Sequence, residues 1–444
     1  MFKLHLEQAD GSPLVVNWNP HTTALTYEDG RAVDLAPIGM AREPQAHCAV
    51  QRVHPDHNQL GKDRQLRMVR ILFGLACNFS CGYCSQAVSR QSDDSIADTA
   101  DTADVDTFVR RLPEWCHTPP EGDIRFEFWG GEPLVYWKKI KRMAEAIRAM
   151  WPNAHFWMPT NGSLLDRDKV EWLMKLGFSL SISHDGPGQS VRGPDPLDDP
   201  KVLEGIRYAV ERLAPVGKIA FNSVLTLANH DPVAIRDFFL AKLNLPPGAT
   251  APQFVTEGMV MAHQAHDMLM SPLTEEDHRR VRRTIFDGIA RPDMIPVAHV
   301  SYKLRGFFDV LRTAKTSDAL GQRCGMDRVD NIALRLNGDV ILCPNGAAPT
   351  QLLGSVHAFD NIRLQHSTHW SHREECRHCP VLHLCGGGCM MFGEDSGCHR
   401  VTCDNSFTFE IAYLALALYL LTNARLVRIE GERIRFPGIT ALDF

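Results

Sequence analysis

Residues 67–84 read RMVRILFGLACNFSCGYC. The apolar run from Met68 to Leu75 has the length and composition of a strand. Cys77, Cys81 and Cys84 follow it directly in the pattern C-x3-C-x2-C. A loop at the carboxyl end of a strand can turn three thiolates toward one point, and thiolates suit zinc or an iron–sulfur cluster. A closed structural zinc site takes four ligands, and this loop offers neither a histidine nor a further cysteine. A cubane cluster held by three cysteines leaves one iron open to a substrate or cosubstrate.

Beyond this stretch the sequence alternates strand and helix. Strands are expected over 124–130, 155–162, 179–186, 219–226 and 252–260, and helices over 104–115, 135–150, 167–177, 200–217 and 232–244. Such βα repeats predict a parallel sheet, open or closed as a barrel, with its chemistry at the carboxyl ends of the strands. The stretch RQSDDSIADTADTADVD (90–106) predicts a solvated loop leading into a helix, with a mobile flap beside the site as the sharper alternative. Residues 1–66 read as short strands, with a turn at Asp29-Gly30. After about residue 300 the repeats give way to a cysteine-rich segment. The final LVRIEGERIRF predicts a hairpin turning at Glu430-Gly431.

Length and charge narrow the classes. A chain of 444 residues suggests two or three domains. A net charge of −6 speaks against nucleic acid as main partner. The N-terminus lacks the basic and apolar regions of an export signal. The longest apolar run, Ile411 to Leu421, is about half the ~20 residues that span a bilayer and reads as a buried helix. The expectation is a cytoplasmic protein with no membrane partner, in which clustered cysteines bind metal rather than form disulfides.

The C-terminal cysteines form the order Cys324, Cys343, Cys376-x2-Cys379-x5-Cys385-x3-Cys389, Cys398, Cys403. A tight turn at Asn337-Gly338 would bring Cys343 back beside Cys324. The isolated Cys48 and Cys116 read as small buried hydrophobes. His366, His369, His372, His378, His383 and His399 stand at irregular spacing among polar residues and suggest a polar surface.

Taken with FWGGEPLV (128–135), PTNG (159–162) and SISHDGP (181–187) at successive strand ends, the three-cysteine loop with Tyr83 before its last cysteine resembles the radical S-adenosylmethionine (SAM) family. The resemblance implies a partial (β/α)6 TIM-like barrel. It also implies a [4Fe–4S] cluster on Cys77, Cys81 and Cys84 whose open iron is chelated by SAM. Cleavage of SAM in that family gives a 5′-deoxyadenosyl radical that abstracts hydrogen from the substrate. By the same resemblance Gly130, Gly131, Glu132 and Pro133 hold the methionine amino group, and Ser183 and Arg192 are candidates for ribose and carboxylate contacts. In relatives the arginine lies further beyond the DGP, so HDGPGQSVRG is a shortened version.

The later cysteines resemble a SPASM domain with two auxiliary iron–sulfur clusters. The resemblance assigns Cys376, Cys379, Cys385 and Cys403 to the outer cluster, and Cys324, Cys343 and Cys389 to the inner one. Relatives complete the inner site with a cysteine shortly before the first, and none lies between Cys116 and Cys324 here. Either Cys398 supplies that thiolate or the inner cluster keeps an open iron. The implied organisation is an N-terminal β element (1–66), the partial barrel (67–300), the cysteine-rich iron–sulfur domain (301–410) and a terminal helix and hairpin (411–444).

Family members with this domain mostly modify peptides. In sulfatase-maturating enzymes an Asp base follows the cysteine after the G-x4 turn, whereas Pro344 and Asn345 follow Cys343 here. The favoured expectation is an oxidative crosslink, carbon–carbon or thioether, in a ribosomally made precursor peptide, with flavodoxin or ferredoxin as external reductant. Peptide epimerisation, sulfatase maturation and action on a small-molecule precursor are the alternatives. Residues 1–66 lack the helices of a winged-helix leader-recognition domain. They predict a small β element packed on the barrel, or an edge strand that captures a peptide.

Overall fold

The computed structural model describes residues 1–86, 99–249, 252–259, 273–345, 351–391, 397–431 and 439–444. Most of the predicted loop at 90–106 lies outside them. The N-terminal strands are β1 (Phe2–Glu7), β2 (Pro13–Asn19) and β3 (Ala24–Tyr27). The repeats follow as β4 (Met68–Leu72), α1 (Ala103–Trp115), β5 (Arg125–Trp129), α2 (Trp137–Met150), β6 (His155–Thr160) and α3 (Arg167–Lys175). They continue with β7 (Phe178–Ser183), α4 (Pro200–Leu213), β8 (Ile219–Leu225), α5 (Pro232–Leu243) and β9 (Gln253–Met259). Helix starts are marked chemically. Asp199 and Asp231 cap α4 and α5 by accepting backbone N–H bonds, each just before a proline whose missing donor costs nothing there.

Strands β4 to β9 pair in parallel and in chain order. The two faces of this sheet differ. Val69 and Ile71, Phe126 and Phe128, Phe156, and Phe178 with Ile182 are buried on the helix side. The phenylalanine rings of β5, β6 and β7 interlock there, with centroids 5.0 to 5.5 Å apart. The opposite face presents Arg70, Glu127, Trp157, Ser181 and Asn222, polar groups that an enclosed core would not tolerate unpaired. Glu127 is 4% exposed and binds Arg70 at 2.8 Å, Arg125 at 2.9 Å and the Trp129 indole at 3.1 Å.

After β9 come α6 (Glu275–Ile289) and α7 (Ala298–Thr313), which the sequence reading did not anticipate. Then β10 (Asn331–Arg335), β11 (Asp339–Ile341) and β12 (Leu352–Ser355) extend the large sheet. Strand β10 lies parallel to β4, Asn331 opposite Met68, and β11 returns antiparallel through Gly338, whose φ of 91° favours glycine. Two single turns, α8 (Glu374–Arg377) and α9 (Leu382–Cys385), precede α10 (Gly397–Thr422), β13 (Arg425–Gly431) and β14 (Ala441–Asp443). Helix α10 is longer than the expected 411–421 helix, so the boundary drawn at residue 410 falls inside it. By length and apolarity it passes as a membrane span, yet 78% of its most apolar window is buried against the rest of the chain.

The terminal hairpin needs correction. Glu430 and Gly431 do not turn; they sit inside β13, Glu430 opposite both Lys3 and Ala441. The second sheet has the order β14-β13-β1-β2-β3, so β1 is an interior strand. Spacing alone could not reveal a pairing between strands over 400 residues apart in sequence. Trp18 fastens this sheet to the rest: its indole donates to Pro380 O at 2.8 Å and its ring meets Phe307 of α7 at 5.7 Å. Two smaller expectations also fail. Cys48 is exposed whereas Cys116 is buried. His369 and His399 are buried rather than on a polar surface, His369 with its backbone N–H donating to Val53 O and His399 within α10.

Candidate active site

The segment from Phe73 to Ala76 carries the chain from β4 to the three cysteines, and the GGE turn after β5 holds it by the backbone. Phe73 N donates to Trp129 O at 2.9 Å, Gly131 N to Gly74 O at 3.0 Å, and Glu132 N to Ala76 O at 2.9 Å. Ala76 N in turn donates to the Tyr136 hydroxyl at 2.8 Å. A Cβ on Gly131 would lie 2.3 Å from Leu75 O and 2.6 Å from Ala76 O, so only glycine permits this approach. Pro133 opens the short 3-10 turn that follows and is buried.

Glu132 is 1% exposed, and its carboxylate is engaged inside the protein. Oε1 accepts from Leu134 N at 2.9 Å and Thr160 Oγ1 at 2.7 Å, and Oε2 accepts from Asn161 N at 2.7 Å. Burial raises its pKa, against these hydrogen bonds, which lower it. The residue expected to meet an amino group therefore also joins the ends of β5 and β6. Asn161 carries the link onward: its amide donates to Asn78 Oδ1 at 2.9 Å, and Asn78 donates to Ser163 Oγ at 2.8 Å.

Cys77, Cys81 and Cys84 are partly exposed, and no disulfide occurs among the described residues. Gly82 N donates to Val191 O at 2.9 Å, which lays the cysteine loop on the turn after β7. That turn, Gly186–Val191, is the shortened segment, and it folds back far enough to bring Arg192 over the loop. Arg192 Nη1 donates to the Tyr83 hydroxyl at 2.7 Å, and Tyr83 donates to Asp185 Oδ2 at 2.5 Å. Asp185 Oδ1 accepts from Val224 N at 3.0 Å at the end of β8. Burial raises the Tyr83 phenol and the Asp185 carboxyl. Burial would lower Arg192, but Tyr83, Cys81 and Asp185 around it outweigh that and keep it charged. Ser183 ends β7, half-buried beside this group. Asp185, Asn161, Asn78 and Thr160 were not named as site residues, although Thr160 and Asn161 lie in PTNG, Asp185 in SISHDGP and Asn78 in the cysteine loop.

The C-terminal cysteines fall into two sets. Burial raises the Cys376 and Cys379 thiols, and the neighbouring Cys403 and Cys385 raise them further. These four line one cavity with Cys389. Burial pushes Cys343 up to about 12, with Cys389 and Cys324 adding to the rise. Cys398 stands elsewhere, in a small apolar cluster shared with Tyr83, Val224 and Val401. Among the described residues no three His, Cys, Asp or Glu side chains are arranged to hold a single metal ion. The first and last groups touch: Gln86 Nε2 donates to Pro344 O at 2.9 Å and Ser85 Oγ to Asn345 O at 3.0 Å.

The chain is 23% identical over 186 residues to the radical SAM cyclopropyl synthase TigE of Paramaledivibacter caminithermalis, covering 39% of this chain and 38% of that protein. It is 22% identical to the serine-type anaerobic sulfatase-maturating enzyme of Klebsiella aerogenes over 76% of this chain and 82% of that enzyme. The AdoMet-bound structure of native anSMEcpe superposes with a TM-score of 0.56 at 19% identity, over 80% of this chain and 98% of that one, which supports a common fold. Residues 71–231 match the Radical SAM superfamily, from β4 through the capping residue of α5. With its cysteine loop at the first of these strand ends, the matched segment is a radical SAM domain.

Proposed function

We propose that the protein is a radical SAM peptide maturase that installs an oxidative crosslink, carbon–carbon or thioether, in a ribosomally made peptide. The observation that carries this reading is the set of three cysteine groups: one at the end of β4 and two in the C-terminal segment, the nearer joined to the first through Pro344 and Asn345. The donor chemistry fits polynuclear clusters. Thiolates offered in threes and fours are the donors that iron–sulfur clusters take.

On this reading Cys77, Cys81 and Cys84 hold the cluster that shares SAM, Cys376, Cys379, Cys385 and Cys403 hold an outer auxiliary cluster, and Cys324, Cys343 and Cys389 belong to an inner one. When bound, the first cluster with SAM supplies the hydrogen-abstracting radical. The chain's own residues then do the positioning. Gly130 and Gly131 bring the backbone against the cysteine loop, Glu132 fixes the strand ends and faces the amino group, and Ser183 and Arg192 line the ribose and carboxylate side. The hydrogen bonds of the Arg192–Tyr83–Asp185 chain are made before substrate arrives, so these contacts need little reorganisation at the moment of reaction, while the buried Arg192 Nε is left without a partner.

Likeness to sulfatase-maturating enzymes, and a neighbour solved with AdoMet and the Cp18Cys peptide, support a peptide partner. The likeness also favours sulfatase maturation as a second reading, against which Pro344 and Asn345 stand in place of the expected Asp. Co-expression with a short peptide encoded beside the gene, followed by mass spectrometry, tests the proposal. A loss of two hydrogens is expected. An inverted stereocentre without mass loss would refute crosslinking, and an aldehyde on a sulfatase peptide would favour the second reading.

A further inference from the structure

The two C-terminal cysteine sets are unequal. Cys376, Cys379, Cys385 and Cys403 make a complete set of four, whereas Cys324, Cys343 and Cys389 make three. The remaining cysteine nearby in sequence, Cys398, keeps company with Tyr83 and Val224 at the first site instead. Close to Cys324 lies a buried carboxylate the reaction has not used. Asp327 is 6% exposed; its Oδ2 accepts from Gln322 N at 3.1 Å, and its Oδ1 is buried with no hydrogen-bond partner. A buried carboxylate oxygen without a partner is costly, and such groups are found paired or bound to metal.

We infer that Asp327 is the fourth protein ligand of the inner site, joining Cys324, Cys343 and Cys389 through Oδ1. The inference rests on the auxiliary-cluster reading above. Lys62 relates Asp327 to Cys324, which Cys343 and Cys389 neighbour. Its ammonium donates to Met326 O at 2.8 Å and Arg328 O at 2.9 Å, the carbonyls on either side of Asp327. Burial pushes this ammonium down to about 7, while the charges of Asp327 and then Cys324 pull it back up. Two more cations face the set. Arg70 Nη2 donates to Cys324 O at 3.4 Å, and Arg373 Nη1 to Cys389 O at 2.9 Å. Arg373, and Arg70 while also paired with Glu127, put positive charge beside a donor set of thiolates and one carboxylate. The thioether of Met390, 3.9 Å from Cys324 Sγ, is a weaker donor for iron than a carboxylate.

The test compares the anaerobically reconstituted full chain with Asp327→Ala, Asp327→Cys and Cys398→Ala by iron content, electron paramagnetic resonance and redox titration. Asp327→Ala is expected to lose or alter one cluster signal. Asp327→Cys is expected to restore that cluster at a shifted potential, because ligand identity sets the potential. Cys398→Ala is expected to keep the wild-type iron and spectrum. An Asp327→Ala protein with unchanged spectrum and potential would overturn the assignment, as would loss of about four irons per chain in Cys398→Ala. A wild-type chain holding only about four irons would instead overturn the auxiliary-cluster reading itself, and the assignment with it.

Discussion

The loop of Cys77, Cys81 and Cys84 and the C-terminal cysteines are held in place by different means. The loop hangs from the end of a strand, and backbone hydrogen bonds from the ends of β5 and β7 fix it on two sides. The C-terminal set is drawn from mixed carriers: single helical turns hold Cys376 and Cys385, loops hold Cys324, Cys379 and Cys389, Cys343 follows β11 and Cys403 stands on α10. A site built on regular strand ends inherits its geometry from the sheet. A site built on irregular loops needs its ligands, charges and packing to define it together.

Substitutions should separate the two. The largest effect is expected from Cys81→Ala, which should drop SAM cleavage to background when 5′-deoxyadenosine is measured. Cys379→Ala should keep about two-thirds of the iron and still cleave SAM, if the sets are independent. Equal loss of cleavage in both would merge them into one unit. Gly131→Ala should destabilise the fold by about 3 kcal/mol in denaturant titration and weaken SAM binding, because its Cβ would strike the Leu75 and Ala76 carbonyls. Unchanged SAM affinity would show that the loop is positioned without that contact. Glu132→Gln turns one acceptor into a donor facing donors, and the expected cost is about 2 kcal/mol.

Acid should act on the C-terminal region. Burial lowers the His369 pKa from 6.5 to about 4, and its Nε2 is buried without a partner. The folded protein therefore keeps this imidazole neutral, while the unfolded chain protonates it below 6.5. Its contribution is fully present above pH 6.5 and is lost as pH falls toward 4, on the order of 3 kcal/mol in all. Denaturation at pH 7.5 and pH 5 should show a smaller difference in His369→Phe than in the wild type. The smallest effect is expected from Trp18→Phe, about 1 kcal/mol for the lost bond to Pro380 O.

Much of the first region could be read from the residues. The strands at 124–130, 155–162 and 219–226 and the helices after Asp166, Asp199 and Asp231 appear within a few residues of their expected bounds, because period and capping agree there. The cysteine loop and GGE turn were legible as motifs. Asp185 was not, since its work depends on Tyr83 and Val224, which lie far off in sequence. In the second region the cysteine spacing was legible but the carriers were not. Helix α6 is strongly amphipathic yet follows a stretch without repeat, and β13 finds its partner at the opposite end of the chain. Asp327 looked like any loop aspartate until its burial was known.

Strand β10 has a practical consequence for anyone recombining such proteins. It enters the large sheet in register against β4, Asn331 beside Met68 through Arg335 beside Leu72. The C-terminal segment is thus no detachable cassette. A chimera joined near residue 300 would have to match this edge residue for residue, or leave β4 as an open strand inviting aggregation.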